Sequence, residues 1–237
     1  MSENSKLSCY IIGGQSLLIR CADALLQRHH EILGVITADP SVREWSESQG
    51  IAVIDPKSDL VAALSGRPFD YLFSIANFRI ISDEILSLPK LGAINFHDGP
   101  LPDYAGLNTP TWALINGESE HAINWHVITS GIDKGDILES RSFPIDENEI
   151  AFTLNAKCFD HGVTGFSDLV DALADDTAAP QQQELGEYRY FAKDARPEAA
   201  SLIDWSSSAD AISGLVRSLD YGPYWTPMGL PTTGNDY

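Results

Sequence analysis

The chain has 237 residues, of which 43% are hydrophobic and 21% charged, so we expect a packed globular protein rather than a disordered or fibrous one. Lysine and arginine total 15 against 34 acidic residues, which gives a formal net charge of -19 at pH 7. This charge repels polyanions, and no basic cluster is available to neutralise phosphates, so we expect no nucleic-acid partner.

The N-terminus and the cysteines indicate where the protein works. Residues 1–6 lack the basic and then apolar profile of a secretion signal, and no apolar run approaches the ~18 residues needed to span a bilayer. Cys9, Cys21 and Cys158 show no CxxC spacing, and each lies in an apolar segment where a thiol packs as a small hydrophobe. We therefore expect a soluble, cytoplasmic protein without a membrane partner.

The first part of the chain alternates strands with helices. An apolar run at 8–12 ends at Gly13-Gly14, and apolar residues from Leu17 to Leu25 follow at helical spacing. Three further strands and two helices are predicted: strands at 32–36, 51–54 and 70–76, and helices at 41–50 and 82–88. This alternation predicts an α/β fold, a Rossmann-like and mostly parallel sheet with helices on both faces.

Two irregular segments follow strands in the middle of the chain. The fifth strand, 92–97, runs into the loop 98–103, which is too rich in Gly and Pro to be regular. A helix at 111–115 and a sixth strand at 122–128 come next, and a turn at 130–135 precedes the segment 137–145. Because ligands of open α/β sheets lie outside the carboxyl ends of the strands, we expect both irregular segments at a binding site.

The last third of the chain predicts the end of one domain and a smaller appendage. A long helix at 149–175 closes a first domain of 1–180, and the composition of 176–183 is typical of a linker. The small C-terminal subdomain, 184–237, contains a strand at 188–191 and a helix at 208–219 that Ser207 or Ser208 could cap. Its tail shows no periodicity, which leaves open a truncated subdomain or a tether to a larger protein.

Three polar residues have the chemistry needed for acyl transfer. Asn95 and His97 are two apart on one strand, so their side chains point to the same face. An amide can donate a hydrogen bond to a developing oxyanion, and an imidazole can move the proton of an attacking amine. Asp133 could orient that imidazole or stabilise its charged form. On residue type alone, a packed strand-end histidine and an aspartate bonded to its own turn are the more frequent arrangement.

Two longer segments resemble the signature segments of 10-formyltetrahydrofolate-dependent formyltransferases. Residues 94–106 read INFHDGPLPDYAG, and residues 131–138 read GIDKGDIL. The resemblance covers about 8–175, and the stretch from Ile203-Asp204-Trp205-Ser206 onward is similar to the start of that family's smaller C-terminal subdomain. It implies a folate-dependent N-formyltransferase with 10-formyltetrahydrofolate as cosubstrate and no metal.

The resemblance also implies which residues form the site. The catalytic residues of the family fall on Asn95, His97 and Asp133. The implied folate contacts are Arg79, Ile80 and Ile81, then Asp98, Gly99, Pro100 and Leu101, and finally Thr129, Ser130, Gly131, Ile132 and Asp133. Backbone amides and carbonyls of these segments would read the pterin edge, and apolar walls would hold its ring.

The residues around the motifs bear on the acceptor amine. Relatives that act on initiator tRNA typically have a His-Gly-Ser-Leu-Leu-Pro loop followed by basic residues, whereas this chain has Asp98-Gly99-Pro100 and then Asp103-Tyr104-Ala105. Sugar-modifying relatives commonly have an arginine where this chain has Leu107. The segment 97–108 is similar to formylation domains of nonribosomal peptide synthetases, which implies an aminoacyl group on a carrier-protein pantetheine arm, with an adenylation domain as a second partner.

Other functions remain as alternatives at this point. An amino-sugar nucleotide N-formyltransferase and a methionyl-tRNA formyltransferase would share the catalytic residues. A hydrolase that removes the formyl group from folate without an acceptor is a third, and a non-catalytic ligand-binding module with the same fold is a fourth.

Several aromatic and histidine side chains near the motifs have two possible roles. His126 could face the site, although a packed or surface histidine is the more common arrangement on such a strand. His121 and His161 are expected at the surface. Tyr104 and Trp112 could line an acceptor channel or fill the core beneath it.

Overall fold

The computed structural model describes residues 5–184, 188–197, 202–226 and 228–231. The strands are β1 Ser8–Gly13, β2 Glu31–Ile36, β3 Val53–Ile54, β4 Tyr71–Ile75, β5 Gly92–His97, β6 Ala105–Gly106, β7 Glu120–Val127, β8 Ile137–Pro144 and β9 Tyr190–Phe191. The helices are α1 Gln15–Gln27, α2 Pro40–Ser48, α3 Leu60–Leu64, α4 Asp83–Leu86, α5 Thr109–Ile115, α6 Ala151–Ala174 and α7 Ala209–Ser218. None of the helices in these ranges is long and apolar enough to cross a membrane.

Seven strands form one sheet in the order β3-β2-β1-β4-β5-β7-β8. The pairs from β3 to β5 are parallel, which confirms the predicted α/β fold with a mostly parallel sheet. The pair β5 and β7 is antiparallel, and Val127 near the end of β7 lies opposite Ile94 near the start of β5. The chain therefore leaves β7 at the end of the sheet where β5 begins, and not where β5 ends.

The chain separates into two compact units. Unit 1 consists of Met1–His97, Asn124–Ser140 and Gly162–Gln183, and unit 2 of Asp98–Ile123, Arg141–His161 and Glu184–Tyr237. The domain limits taken from the sequence, 1–180 and 184–237, stay predictions.

The core of unit 1 lies against the apolar face of β5 and β7. Trp125 is fully buried, and its ring packs against Phe96 at 5.2 Å and Phe166 at 4.8 Å between centroids. Its indole Nε1 donates a hydrogen bond to the carbonyl of Gly162 at 3.1 Å, so the one polar atom of the side chain is paired. This packing fixes which face of the two strands is apolar, and hence which face carries the polar side chains.

The core of unit 2 is an aromatic stack beside the two-stranded sheet of β6 and β9. Phe191 stacks on Tyr104 at 5.3 Å and on Trp112 at 4.9 Å. Tyr104 is buried, with 2% of its surface exposed, and Trp112 is half-buried. Tyr104 therefore fills the core rather than a channel. In the same unit Ser208 caps α7, as predicted, by accepting a hydrogen bond from the amide of Ala211.

The expectation that His121 lies at the surface is wrong. His121 is buried, and its Nε2 lies 2.7 Å from the carbonyl oxygen of Asp98. His161 is half-buried and stacks on Phe143 with 4.3 Å between ring centroids. The His121 ring lies 5.9 Å from the Phe143 ring between centroids, so the burial of His121 goes together with the packing around Phe143.

All three cysteines are buried and free, as their apolar neighbours predict. Burial raises the pKa of each thiol, because the charged thiolate loses its solvation inside the protein. These thiols therefore serve as packing groups.

Candidate active site

Four polar side chains stand on one face of β5 and β7 in unit 1. Asn95 lies opposite His126 and His97 lies opposite Asn124 in the antiparallel register. Since residues two apart share a face, these four side chains form a polar patch, while Phe96 and Trp125 point to the other face. Asn95 and His97 therefore share one face of β5, as their spacing of two residues predicts.

Asp133 joins this patch from the turn after β7. One carboxylate oxygen, Oδ2, lies 3.7 Å from His97 Nδ1, and the other, Oδ1, lies 3.4 Å from His126 Nε2. Only 11% of the Asp133 side chain is exposed. A carboxylate removed from water needs polar partners or an opposite charge, and two imidazoles are placed to supply one or the other.

The turn that presents Asp133 is tied to its own unit. Asp133 has a φ of +51°, the left-handed region that aspartate tolerates better than most residues. The Gln183 side-chain amide donates to the carbonyl oxygens of Asp133 at 2.8 Å and of Gly135 at 2.7 Å. At Gly135 the backbone passes so close to β7 that an added Cβ would sit 1.8 Å from the Val127 carbonyl oxygen. The turn that carries the carboxylate is therefore held in place by the Gln183 side chain and by its close approach to β7.

A row of polar contacts fixes the amide of Asn95. Ser74 on β4 pairs with Asn95 across the sheet, and its hydroxyl donates to Asn95 Oδ1 at 2.8 Å. Asn95 Nδ2 lies 3.2 Å from His126 Nε2 on the other side. Asn77 Nδ2 in turn donates to Ser74 Oγ at 3.3 Å. Ser74, Asn95 and His126 thus form one line across three neighbouring strands.

The arrangement supplies the parts that acyl transfer to an amine needs. The Asn95 amide can donate a hydrogen bond to an oxygen that gains negative charge, and an imidazole such as that of His97, with 4% of its surface exposed, can accept and release a proton. Asp133 lies 3.7 Å from His97 Nδ1. The structure brings together all three residues that the motifs imply.

The folate contacts implied in unit 1 lie at its surface. Arg79 is exposed, and its guanidinium donates to the carbonyl of Pro56 at 2.9 Å. Ile80 is 89% exposed and Ile132 45% exposed, so both leave apolar surface that a flat ring could cover, whereas Ile81 is half-buried and packs on the core. Thr129 and Ser130 are exposed, and Gly131 is half-buried.

The implied contacts Asp98, Gly99, Pro100 and Leu101 belong to unit 2. There the Thr109 hydroxyl donates to the Asp98 backbone carbonyl at 2.6 Å and lies 2.9 Å from its carboxylate. An added Cβ at Gly99 would sit 2.8 Å from the Tyr104 carbonyl oxygen, so the segment is tightly turned. Their role in folate binding stays a prediction.

His126, Ser74 and Asn77 are site residues that the sequence reasoning did not assign. The sequence favours a packed or surface role for His126, and the structure places this residue, 3% exposed, between Asn95 and Asp133. The alternation of Asn124 and His126 with Ile123 and Trp125 was visible in the sequence. The missing information was the direction of β7, which puts His126 beside Asn95. Ser74 could have been noticed as the one polar residue within the apolar run of β4.

Comparisons with known proteins agree on one family. Residues 6–170 match the family described as formyl transferase. Methionyl-tRNA formyltransferase from Caldanaerobacter subterraneus subsp. tengcongensis is 31% identical over 216 residues, which cover 84% of this chain and 69% of that protein.

Solved structures show the same fold at lower identity. The sugar 3N-formyl transferase WlaRD, solved in the presence of dTDP and 5-N-formyl-THF, is 21% identical with a TM-score of 0.79, covering 99% of this chain and 84% of that one. The N-formyltransferase from Helicobacter canadensis, in complex with folinic acid and dTDP-3-aminofucose, is 21% identical with a TM-score of 0.78, covering 96% of this chain and 84% of that one.

Proposed function

Because this chain belongs to the formyl transferase family of folate-dependent enzymes, we propose that it transfers the formyl group of 10-formyltetrahydrofolate to the amine of an aminoacyl group held by a carrier protein. The observation that carries formyl transfer is the cluster of Asn95, His97 and Asp133 in unit 1, where the carboxylate lies 3.7 Å from the imidazole. The choice of acceptor is the finer part of the proposal and is argued separately below.

The bonds and protons of the proposed reaction balance without a further reactant. The amine nitrogen bonds to the formyl carbon, the bond from that carbon to N10 of the folate breaks, and the proton lost by the amine ends on N10. Asn95 donates a hydrogen bond to the formyl oxygen as it gains negative charge. His97 carries the proton, and Asp133 stabilises the imidazole while it is charged.

The folate lies, in this proposal, against the exposed segments of unit 1 near the cluster. Ile80 and Ile132 supply apolar contact, and the backbone from Thr129 to Asp133 offers amides and carbonyls to the pterin edge. Arg79 would lie beside the ligand, and its guanidinium already donates one hydrogen bond to the Pro56 carbonyl.

Two observations support a carrier-bound amine over tRNA. The net charge of -19 opposes a polyanionic acceptor, because tRNA binding depends on neutralising phosphates with lysine and arginine. The residue after His97 is Asp98, whereas relatives that act on tRNA typically have glycine there. Those relatives also have basic residues after the loop, whereas this chain has Asp103.

An amino-sugar nucleotide is the second candidate acceptor. The similarity of this fold to two sugar N-formyltransferases, with TM-scores of 0.79 and 0.78, favours it. Leu107, which stands where sugar-modifying relatives commonly have arginine, speaks against it, since a diphosphate is best held by charge-assisted hydrogen bonds.

One assay separates these acceptors. The purified chain is given 10-formyltetrahydrofolate with an aminoacyl carrier protein, a dTDP-amino sugar or methionyl-tRNA, and the formylated product is measured by mass spectrometry. We expect formylation of the carrier-bound group. Formylation of the sugar alone or of the tRNA alone contradicts the carrier proposal, and release of tetrahydrofolate without any acceptor identifies a hydrolase instead.

Two substitutions test the catalytic assignment in the same assay. His97→Ala and Asp133→Asn should each lower kcat by about 100-fold or more, the usual contribution of a positioned acid or base. His29→Asn is the matched control, because His29 is exposed at a φ of +61° that asparagine tolerates. Full activity of His97→Ala would contradict the assignment.

A further inference from the structure

The structure assigns His126 and Ser74 as positioning residues that fix the orientation of the Asn95 amide. His126 acts as a neutral imidazole with its proton on Nδ1, so that Asn95 keeps one N–H for the formyl oxygen. The inference rests on the proposed function of Asn95 as the donor to that oxygen.

The tautomer of His126 follows from its backbone contact. His126 Nδ1 lies 2.9 Å from the carbonyl oxygen of Val127. A carbonyl oxygen only accepts hydrogen bonds, so Nδ1 must carry the hydrogen. In the neutral ring Nε2 is then a bare acceptor.

The acceptor on His126 selects the amide nitrogen of Asn95. Asn95 Nδ2 lies 3.2 Å from Nε2 and donates one of its two hydrogens to it. On the other side Ser74 donates to Oδ1 at 2.8 Å. A flipped amide would turn its oxygen toward Nε2, and the hydrogen bond between the two side chains would be lost as long as Nε2 carries no hydrogen. His126 and Ser74 therefore enforce the same orientation from opposite sides.

This orientation leaves one N–H of Asn95 without a partner among the residues that the structure describes. Asn95 Nδ2 carries two hydrogens, and His126 takes one of them. The second remains for a ligand atom, since Asn95 is only half-buried. A preorganised donor is worth more than a mobile one, because no reorganisation is needed when charge develops.

The Asp133 carboxylate lies close to both histidines. Its Oδ2 lies 3.7 Å from His97 Nδ1 and its Oδ1 lies 3.4 Å from His126 Nε2. A proton on His126 Nε2 would turn that atom into a donor toward Asp133 and end the hydrogen bond from Asn95. The hydrogen bond from Asn95 therefore requires that His126 Nε2 carries no proton, and the centroids of the His97 and His126 rings lie 6.3 Å apart.

Three variants test the assignment by kinetics. His126→Leu removes the acceptor at similar volume, Ser74→Ala removes the hydroxyl, and His126→Gln keeps an acceptor near the position of Nε2. We expect kcat to fall about 10-fold for His126→Leu and for Ser74→Ala with KM for the folate changed less than about twofold, since one positioned donor contributes about 100-fold or more when deleted outright. His126→Gln should recover kcat to within about threefold of the wild type on the same basis.

A double-mutant cycle separates positioning from general damage. If His126 acts through Asn95, its replacement by leucine should change kcat less than about twofold in an Asn95→Ala background, because coupled residues are not additive. The same fold loss in both backgrounds would overturn the inference, and so would full kcat in His126→Leu.

Ring 15N NMR of histidine-labelled protein gives an answer that needs no activity. The His126 signals are assigned by their loss in His126→Gln and should show a neutral ring with its proton on Nδ1. A proton on Nε2 overturns the inference even if variants fail to fold. Wild-type protein that formylates no acceptor would instead contradict the proposed function, so the two failures are distinct.

Discussion

At the scale of single residues, the conformation and burial of Asp133 depend on contacts from its neighbours. Its backbone adopts a φ of +51°, its carboxylate is 11% exposed, and it faces two imidazoles. The positive φ and the burial of the carboxylate each cost free energy, and the contacts from Gln183 to the turn carbonyls hold the turn in this conformation. Such a combination is typical of a residue retained for chemistry.

Tyr104 allows a prediction about alkaline pH. Burial, followed by its hydrogen bond to Glu118, raises the pKa of its phenol to about 12. In the unfolded chain the phenol ionises near pH ~10. The folded pKa is the higher of the two, so this group's contribution is fully present below pH ~10 and is lost as the pH rises toward about 12. We expect the stability difference between wild type and Tyr104→Phe to shrink across this interval in urea titrations.

The comparison isolates Tyr104 because both proteins keep the other buried tyrosines. Burial also raises the pKa of Tyr71 and Tyr221, so the wild type and the variant lose stability together through these groups. Tyr224→Phe, which alters a phenol that is 67% exposed, serves as the control. A stability difference that stays constant up to pH ~12 would contradict the assignment.

At the scale of elements, the turn after β7 carries a prediction at Gly135. An added Cβ would lie 1.8 Å from the Val127 carbonyl oxygen, which belongs to a strand and cannot move aside cheaply. We expect Gly135→Ala to lower the free energy of unfolding by about 3 kcal/mol, the upper part of the usual range for single substitutions. Because the turn also holds Asp133, kcat should fall as well. Thermal and urea unfolding measure the first effect and the formyl transfer assay the second.

Gly66→Ala is the matched control for this substitution. Nothing lies within 4 Å of an added Cβ at Gly66, so its stability should change by less than about 1 kcal/mol. Equal stability of the Gly135 and Gly66 variants would show that the turn can shift away from β7.

Most elements near the site could be predicted because their patterns are local. β5 has the bounds expected from its apolar run, and α7 begins directly after Ser208, one of the two serines expected to cap it. The sequence pattern does not predict the short elements α3 and β6, since five residues and two residues are too few to show a period. The direction of β7 was missed for another reason: strand pairing is a tertiary property, and alternation looks the same whichever way a strand runs.

Site residues, too, can be predicted where a local pattern places them and cannot be predicted where tertiary pairing places them. Asn95 and His97 share one strand, so their common face follows from spacing alone. His126 is brought to Asn95 by pairing across strands, and Asp133 by a turn that folds back over the sheet. The motif resemblance supplied Asp133, and no comparable signal supplied His126.

At the scale of the whole molecule, the charge predicts a response to salt. A net charge of -19 produces repulsion within the folded protein, and this repulsion is weaker once ions screen it. Raising NaCl from ~10 mM to ~150 mM, which shortens the screening length from about 30 Å to about 8 Å, should raise Tm by about 2–4 °C, equivalent to about 1 kcal/mol for a chain of this length.

The control for this effect is the pH. Closer to the pI of about 4.4 the net charge is smaller, so the same salt step at pH ~5.5 should raise Tm by less. A fall of Tm with salt at neutral pH would instead indicate that attractive ion pairs, such as Arg28 with Asp171, outweigh the repulsion.

The pairing of β5 with β7 also limits how this protein can change over evolutionary time. Moving one strand by a single residue against the other would turn Asn124 and His126 into the core and bring Trp125 out to the ligand side. Selection for a stable interior and selection for catalysis therefore act on one alignment of two strands. An insertion or deletion within either strand would be rejected on both grounds together, whereas changes of length would be tolerated in surface turns that carry no site residue.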